Sequence, residues 1–191
     1  MESDYIIEDT DIRRLIVKAV EARDMAYARY SQFKVGAALL AGRENSSYAD
    51  EVVGRETDSR DRNVNEYRVF TGCNIENSSY GATICAERAA VCNAVSSGYK
   101  DFKAIAIVGG LNSTGINGIT YPCGICRQVL SEFSADMYVI AARSEDDYDM
   151  RRLSEFLPAS FGAGFIYKRK LLKRWDIDGY AHLNGILLGG A

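Results

Sequence analysis

Apolar side chains recur near helical spacing at Ile12, Leu15, Ile16, Ala19, Ala26 and Tyr27, which predicts an amphipathic helix over about 10–29 with Asp9 or Thr10 as its cap. The period then changes. Val35-Gly36-Ala37-Ala38-Leu39-Leu40 is apolar at consecutive positions, so 34–41 reads as a strand buried on both faces. From 43 to 65, Arg, Glu, Asp, Ser and Asn mix both signs without periodicity, which predicts a solvated, partly disordered insertion. A second strand is expected over 67–74.

Thr83 is placed to cap a helix that runs through Cys85, Glu87, Ala90 and Ala94, and Gly98 suits a left-handed helix end. Strand pattern returns at 104–108. Pro122 stands where another helix can begin, with Cys126, Val129, Leu130 and Phe133 marking its inward face. Strands over 137–142 and 148–153 complete the count at five, and no internal repeat is present. Strands alternating with helices in the second half predict a three-layer α/β/α domain with a mixed sheet.

Composition narrows the class. A chain of 191 residues, 47% hydrophobic, is long enough for one substantial core, so a single domain over 1–191 is expected. A net charge of -3 argues against a surface built to hold a nucleic-acid backbone, and a small neutral ligand fits better. No apolar run reaches membrane-span length and the first residues do not read as a signal peptide, so a soluble cytoplasmic protein without membrane partners is expected. Five cysteines, an odd number, fit a reducing compartment better than a disulfide framework.

Three of those cysteines carry the chemistry. In Cys85-Ala86-Glu87 and Pro122-Cys123-Gly124-Ile125-Cys126, three thiolates can hold a zinc ion and leave its fourth position open, with a carboxylate two residues from one ligand. Both motifs fall at expected helix N-termini, where the dipole favours thiolates. Three thiolates give the site a formal charge of about minus one, and Arg88 is placed to hydrogen-bond a sulfur and offset it. Glu87 is read as the proton carrier, not as a ligand. The competing reading makes Glu87 a first-turn carboxylate that complements the helix dipole, and the zinc structural. Cys73 and Cys92 do not fit the ligand pattern and are expected to be buried as small apolar residues. His182, the only histidine, is expected on the surface of the tail.

The order C-x-E, then P-C-x-x-C, matches the zinc nucleobase deaminase signature. Around it the chain resembles the small homotetrameric cytidine deaminases. The matching segments are 31–38 (SQFKVGAA), 72–81 (GCNIENSSYG), 84–89 (ICAERA), 122–130 (PCGICRQVL) and 157–162 (LPASFG), in the family's order. This resemblance implies a cytidine deaminase-like fold with a mixed five-stranded sheet, one Zn2+ per subunit, and hydrolysis of cytidine and deoxycytidine to the uridine products for pyrimidine salvage. It implies that Asn74 and Glu76 bind the ribose 3′-hydroxyl and that Phe33 packs against the pyrimidine. Tyr80 and the backbone of Ala86 would line the site, and Phe161 would reach into a neighbouring subunit of a homotetramer. Taken alone, Asn74 and Glu76 read equally as turn residues and Phe33 as core.

The chain departs from the family's pattern in the 43–65 insertion, expected to spare the zinc chemistry, in Arg29 where proline is common, and in an extension over 163–191. Within that extension, Lys168-Arg169-Lys170-Leu171-Leu172-Lys173-Arg174-Trp175 is read as a helix packing on its own domain, against the alternative of a nucleic-acid or membrane contact. Deamination of cytosine in RNA or DNA, or in an antibiotic, and a non-catalytic zinc module are the rival functions. The Asn74 and Glu76 pair favours a free nucleoside.

Overall fold

Strand β1 (Phe33–Arg43) lies inside a five-stranded sheet and shows why an unbroken apolar run was needed. Ala37, Leu39 and Ala41 point into one core, whereas Ala38 and Leu40 point into another on the opposite face. The computed structural model describes residues 5–43 and 67–158. Within them, helix α1 (Asp9–Asp24) covers one face of the sheet through Ile12, Leu15, Ile16 and Ala19. Helix α2 (Ala86–Ser96) and helix α3 (Gly124–Ser131) cover the other through Ala86, Ala90, Val91, Ala94 and Leu130. The expected three layers are present.

The remaining strands are β2 (Tyr67–Cys73), β3 (Tyr99–Leu111), β4 (Tyr138–Ser144) and β5 (Asp147–Arg152), and a short helix α4 (Leu153–Phe156) follows. The spatial order is β2-β1-β3-β4-β5, with β3 and β4 parallel and every other pair antiparallel. Register fixes where the site forms. Cys73 at the end of β2 pairs with Gly36, which pairs with Val108 near the end of β3. The chain therefore leaves β2 and β3 at the same end of the sheet, and both following helices begin there, as substrate sites in open α/β sheets do.

Several expectations move. Helix α1 stops at Asp24, not near 29, and Glu8 stands at its N-cap in place of Asp9 or Thr10. Backbone pairing overrides the helical period, because Tyr27 N donates to Asn74 O at 3.0 Å and Glu76 N donates to Tyr27 O at 2.8 Å. Cys85, not Thr83, caps α2. The Thr83 hydroxyl accepts from Asn77 N at 3.3 Å instead. Gly98 does sit in the left-handed region, at φ 85°, where an L side chain is strained. Cys92 is exposed and Cys73 half-buried, so neither is the buried apolar residue expected. The buried stripe of α2 runs through Ala86, Ala90, Val91 and Ala94, which turns Cys92 outward. The 44–66 part of the insertion, Phe161, His182 and the 163–191 extension lie outside the described residues.

Candidate active site

Cys85 and Cys123 occupy the N-cap positions of α2 and α3, and neither side chain makes a cap hydrogen bond. Their sulfurs sit at the positive helix ends with no structural bond to the backbone there. Cys126, one turn into α3, is fully buried and faces them. The Sγ atoms of Cys85 and Cys123 are 3.8 Å apart, those of Cys123 and Cys126 3.5 Å, and all three lie within 4.8 Å of one another. A tetrahedral ion with sulfurs at about 2.3 Å would separate them by about 3.8 Å, so the cluster fits a metal of zinc's size.

Cys85 and Cys126 hold their protons unequally. Hydrogen bonding from the Cys126 thiol, assisted by Arg88, pushes Cys85 down to about 5. The same bond, with burial behind it, pushes Cys126 up. Arg88 Nη2 lies 3.8 Å from Cys85 Sγ and donates to Thr83 O at 2.9 Å. Its Nε is buried with no hydrogen-bond partner among the described residues.

Glu87 follows Cys85 by two residues in the first turn of α2 and is 4% exposed. Burial raises its carboxyl above the usual range. Glu87 is thus a first-turn carboxylate that is also buried, a position in which it can both complement the helix dipole and hold a proton. Arg88 bonds inward to a sulfur. Three cysteines that could hold a metal ion, a buried carboxylate and a guanidinium are thus gathered at the start of α2.

A second group of side chains meets this one through the chain. Ile75 and Ile84 exchange backbone hydrogen bonds of 2.9 and 3.1 Å, which joins the residue before Cys85 to the segment holding Asn74 and Glu76. Asn74 accepts from Val35 N at 2.8 Å and donates to Phe33 O at 2.9 Å. The Glu76 carboxylate accepts from Tyr30 N at 2.7 Å, from Ser31 N at 3.2 Å, and from the Ser31 hydroxyl. Those bonds hold its carboxyl below the usual range, the Ser31 hydroxyl contributing most. Both residues therefore make turn bonds, and each keeps further hydrogen-bonding capacity.

Phe33 is half-buried, its ring resting over Gly109 of β3, where an added Cβ would lie 3.0 Å from the ring. Tyr80 is 77% exposed and packs its ring 6.2 Å from that of Tyr30. Ala86 is fully buried at the start of α2.

Two contributors were not assigned roles from sequence. Ser31 joins Glu76 to the Phe33 backbone, with Phe33 N donating to its Oγ at 3.0 Å. Arg127 donates to Pro122 O at 2.8 Å and to Phe156 O at 3.1 Å, tying the second cysteine motif to the end of α4. Both lie in motif segments, but periodicity cannot disclose which backbone atom a side chain will reach.

A family model described as cytidine and deoxycytidylate deaminase zinc-binding region matches residues 62–142. The chain is similar to a cytidine deaminase of Sporosarcina psychrophila, 37% identical over 152 residues that cover 79% of this chain and 91% of that one. It is 38% identical to a cytidine deaminase of Mycobacterium tuberculosis over 154 residues, 81% and 92% of the two chains. A crystal structure of cytidine deaminase from Burkholderia pseudomallei superposes with a TM-score of 0.59 at 37% identity, covering 78% of this chain and 97% of that one.

Proposed function

The chain belongs to the cytidine deaminase family and is an enzyme of it, and from that premise we propose that it hydrolyses cytidine and deoxycytidine to uridine and deoxyuridine, releasing ammonia in pyrimidine salvage. The observation that carries this reading is the cluster of three thiols within 4.8 Å at two helix starts, with buried Glu87 beside it. Cys85, Cys123 and Cys126 would hold one Zn2+ per subunit. When bound, zinc supplies Lewis acidity that lowers the pKa of water and makes it a nucleophile near neutral pH.

Glu87 takes a proton from that water and passes it to the ring nitrogen next to C4 as the C–O bond forms. It then takes the proton of the new C4 hydroxyl and delivers it to the amino group, so that the C4–N bond breaks, C4=O forms and ammonia leaves. Burial excludes bulk water from the carboxylate, and the backbone of Ala86 lines the site. Arg88 donates to Cys85 and offsets the excess charge of the thiolates. Phe33 packs on the pyrimidine, Asn74 and Glu76 read the 3′-hydroxyl, and Tyr80 lines the entrance. A 3′-hydroxyl free to meet Glu76 belongs to a nucleoside and not to an internal nucleotide, which disfavours nucleic acid as substrate.

The same reading has one domain over 1–191, cytoplasmic, with the 43–65 insertion and the 163–191 extension outside the chemistry. Among the described residues no helix is long and apolar enough to cross a membrane. Homotetramer formation, with Phe161 completing a neighbour's site, is supported by apolar side chains left exposed along the site: Tyr27, Tyr30, Ile75, Tyr80 and Ile84. Gel filtration of active protein tests the assembly, and metal analysis after deletion of 44–66 tests the insertion.

The deciding experiment is an ultraviolet assay of cytidine turnover by wild type and Glu87→Ala. Loss of about 10²- to 10⁴-fold in kcat with metal content retained is expected. A variant within a few-fold of wild type would overturn the role of Glu87. Wild type that is inert on free nucleosides yet deaminates an oligonucleotide would overturn the substrate.

A further inference from the structure

The two residues proposed to read the sugar also grip the backbone of the residue proposed to meet the base. Asn74 does so directly, its Nδ2 donating to Phe33 O at 2.9 Å. Glu76 does so through Ser31. The Ser31 hydroxyl gives its single proton to Glu76 Oε1 and accepts from Phe33 N at 3.0 Å. Between them Gln32 is held in the left-handed region at φ 58°. Its N donates to Ala28 O at 3.2 Å, its Nε2 to Arg29 O at 2.8 Å, and its O accepts from Asn112 N at 2.8 Å. Residues 31–33 thus have little freedom except through the Ser31 hydroxyl, whose orientation follows Glu76.

The Glu76 carboxylate has about four acceptor positions, and three protein donors already use its two oxygens. A sugar hydroxyl arriving there shares an oxygen with Tyr30 N, Ser31 N or the Ser31 hydroxyl. A fourth donor on the same carboxylate draws on the charge that the other three share, so it weakens the bond from the Ser31 hydroxyl, whose oxygen holds Phe33 N.

We propose that Ser31 is a positioning residue that couples recognition of the sugar 3′-hydroxyl at Glu76 to placement of the Phe33 ring against the base. This rests on the reading above in which Glu76 meets the sugar and Phe33 the pyrimidine. Ser31 touches neither substrate nor metal in this account. Its effect is one of specificity: substrates lacking the 3′-hydroxyl are handled with Phe33 less well placed.

The test compares kcat/KM for cytidine and 3′-deoxycytidine in the metal-loaded enzyme, with and without Phe33→Ala, in three backgrounds: wild type, Ser31→Ala and Ser31→Thr. In wild type, Phe33→Ala should cost at least about threefold more with cytidine than with 3′-deoxycytidine, because the missing hydroxyl has already loosened the ring. In Ser31→Ala that difference should vanish, and Ser31→Thr, which keeps a hydroxyl, should restore it. A uniform loss on both substrates is what a merely structural serine would give, and it overturns the inference. So does a difference that persists in Ser31→Ala, or that is missing from wild type while both the hydroxyl and Phe33 affect KM. If removing the 3′-hydroxyl or Phe33 leaves KM unchanged in wild type, the substrate reading itself fails and the inference goes with it. Should Ser31→Ala not fold, Ser31→Cys, a weak donor, serves in its place.

Discussion

Gly72 of β2 faces the helix that carries Cys85 and Glu87, and a single methyl group there should report how tightly the site depends on that contact. A Cβ at Gly72 would lie 2.4 Å from Ala86 O, 2.4 Å from Ala90 N and 2.9 Å from the Ala89 carbonyl carbon. All three are backbone atoms, so no side chain can swing aside. Restoring ordinary contact requires α2 to retreat by about 1 Å. Overpacking of this kind costs about 1–3 kcal/mol, which lowers Tm by roughly 3–10 °C for a folded unit of this size.

The retreat moves Glu87 and the Cys85 sulfur together, out of register with Cys123 and Cys126. Misplacement by that distance is expected to reduce kcat/KM by about tenfold to a hundredfold in the protein that remains folded. Gly36→Ala is the control, since its Cβ would meet Ala19 O at 2.0 Å and Arg23 N at 2.4 Å on the opposite face, against α1. It should destabilise at least as much while sparing turnover per folded molecule. Thermal unfolding and cytidine kinetics at a temperature well below both midpoints separate the two effects. A Gly72→Ala enzyme with Tm within about 1 °C of wild type and unchanged kcat/KM would refute the close packing inferred here.

Gly98→Ala should cost about 1 kcal/mol through backbone strain alone, because φ is 85° and no atom of the described residues outside its chain neighbours lies within 4 Å of the added Cβ. Thermal unfolding checks it, and any matching loss in kcat/KM would show that the strain spreads to the site. The Glu76 carboxyl should titrate below the ordinary value of 4.5, since the Ser31 hydroxyl and the Tyr30 amide bond its charged form. Its contribution to stability is complete above that ordinary value and is lost as pH falls through the lower folded one. Carbon-detected titration of the carboxylate should find the midpoint moving upward in Ser31→Ala, and a wild-type midpoint at or above the ordinary value would contradict the hydrogen bonds described.

The five strands and the cysteine cluster could be read from the chain because burial writes a local signal. Alternation along β1 and the spacing of Ala86, Ala90 and Ala94 follow directly from which face meets a core. Boundaries were less legible. β3 extends from Tyr99 to Leu111, well past its apolar centre at 104–108, because ladder hydrogen bonds to β1 continue through Gly109 and Gly110. The end of α1 was overrun because the bridge between Tyr27 and Ile75 joins residues far apart in sequence. The same holds in the site: Cys85, Glu87 and Arg88 lie on one helix and announce themselves, whereas Ser31 matters only because Glu76 folds back onto it from 45 positions away.

Cys85 and Cys123 stand 38 positions apart, and between them lie α2 and the whole of β3, which is hydrogen-bonded to β1 on one side and β4 on the other. An ion gripping both sulfurs closes that stretch into a ring, a constraint worth about 4 kcal/mol in the chain-entropy model for a loop of this length. Reagents that strip the ion would then open the noose around the middle of the sheet as well as silence the chemistry, so loss of turnover and loss of thermal endurance should arrive together.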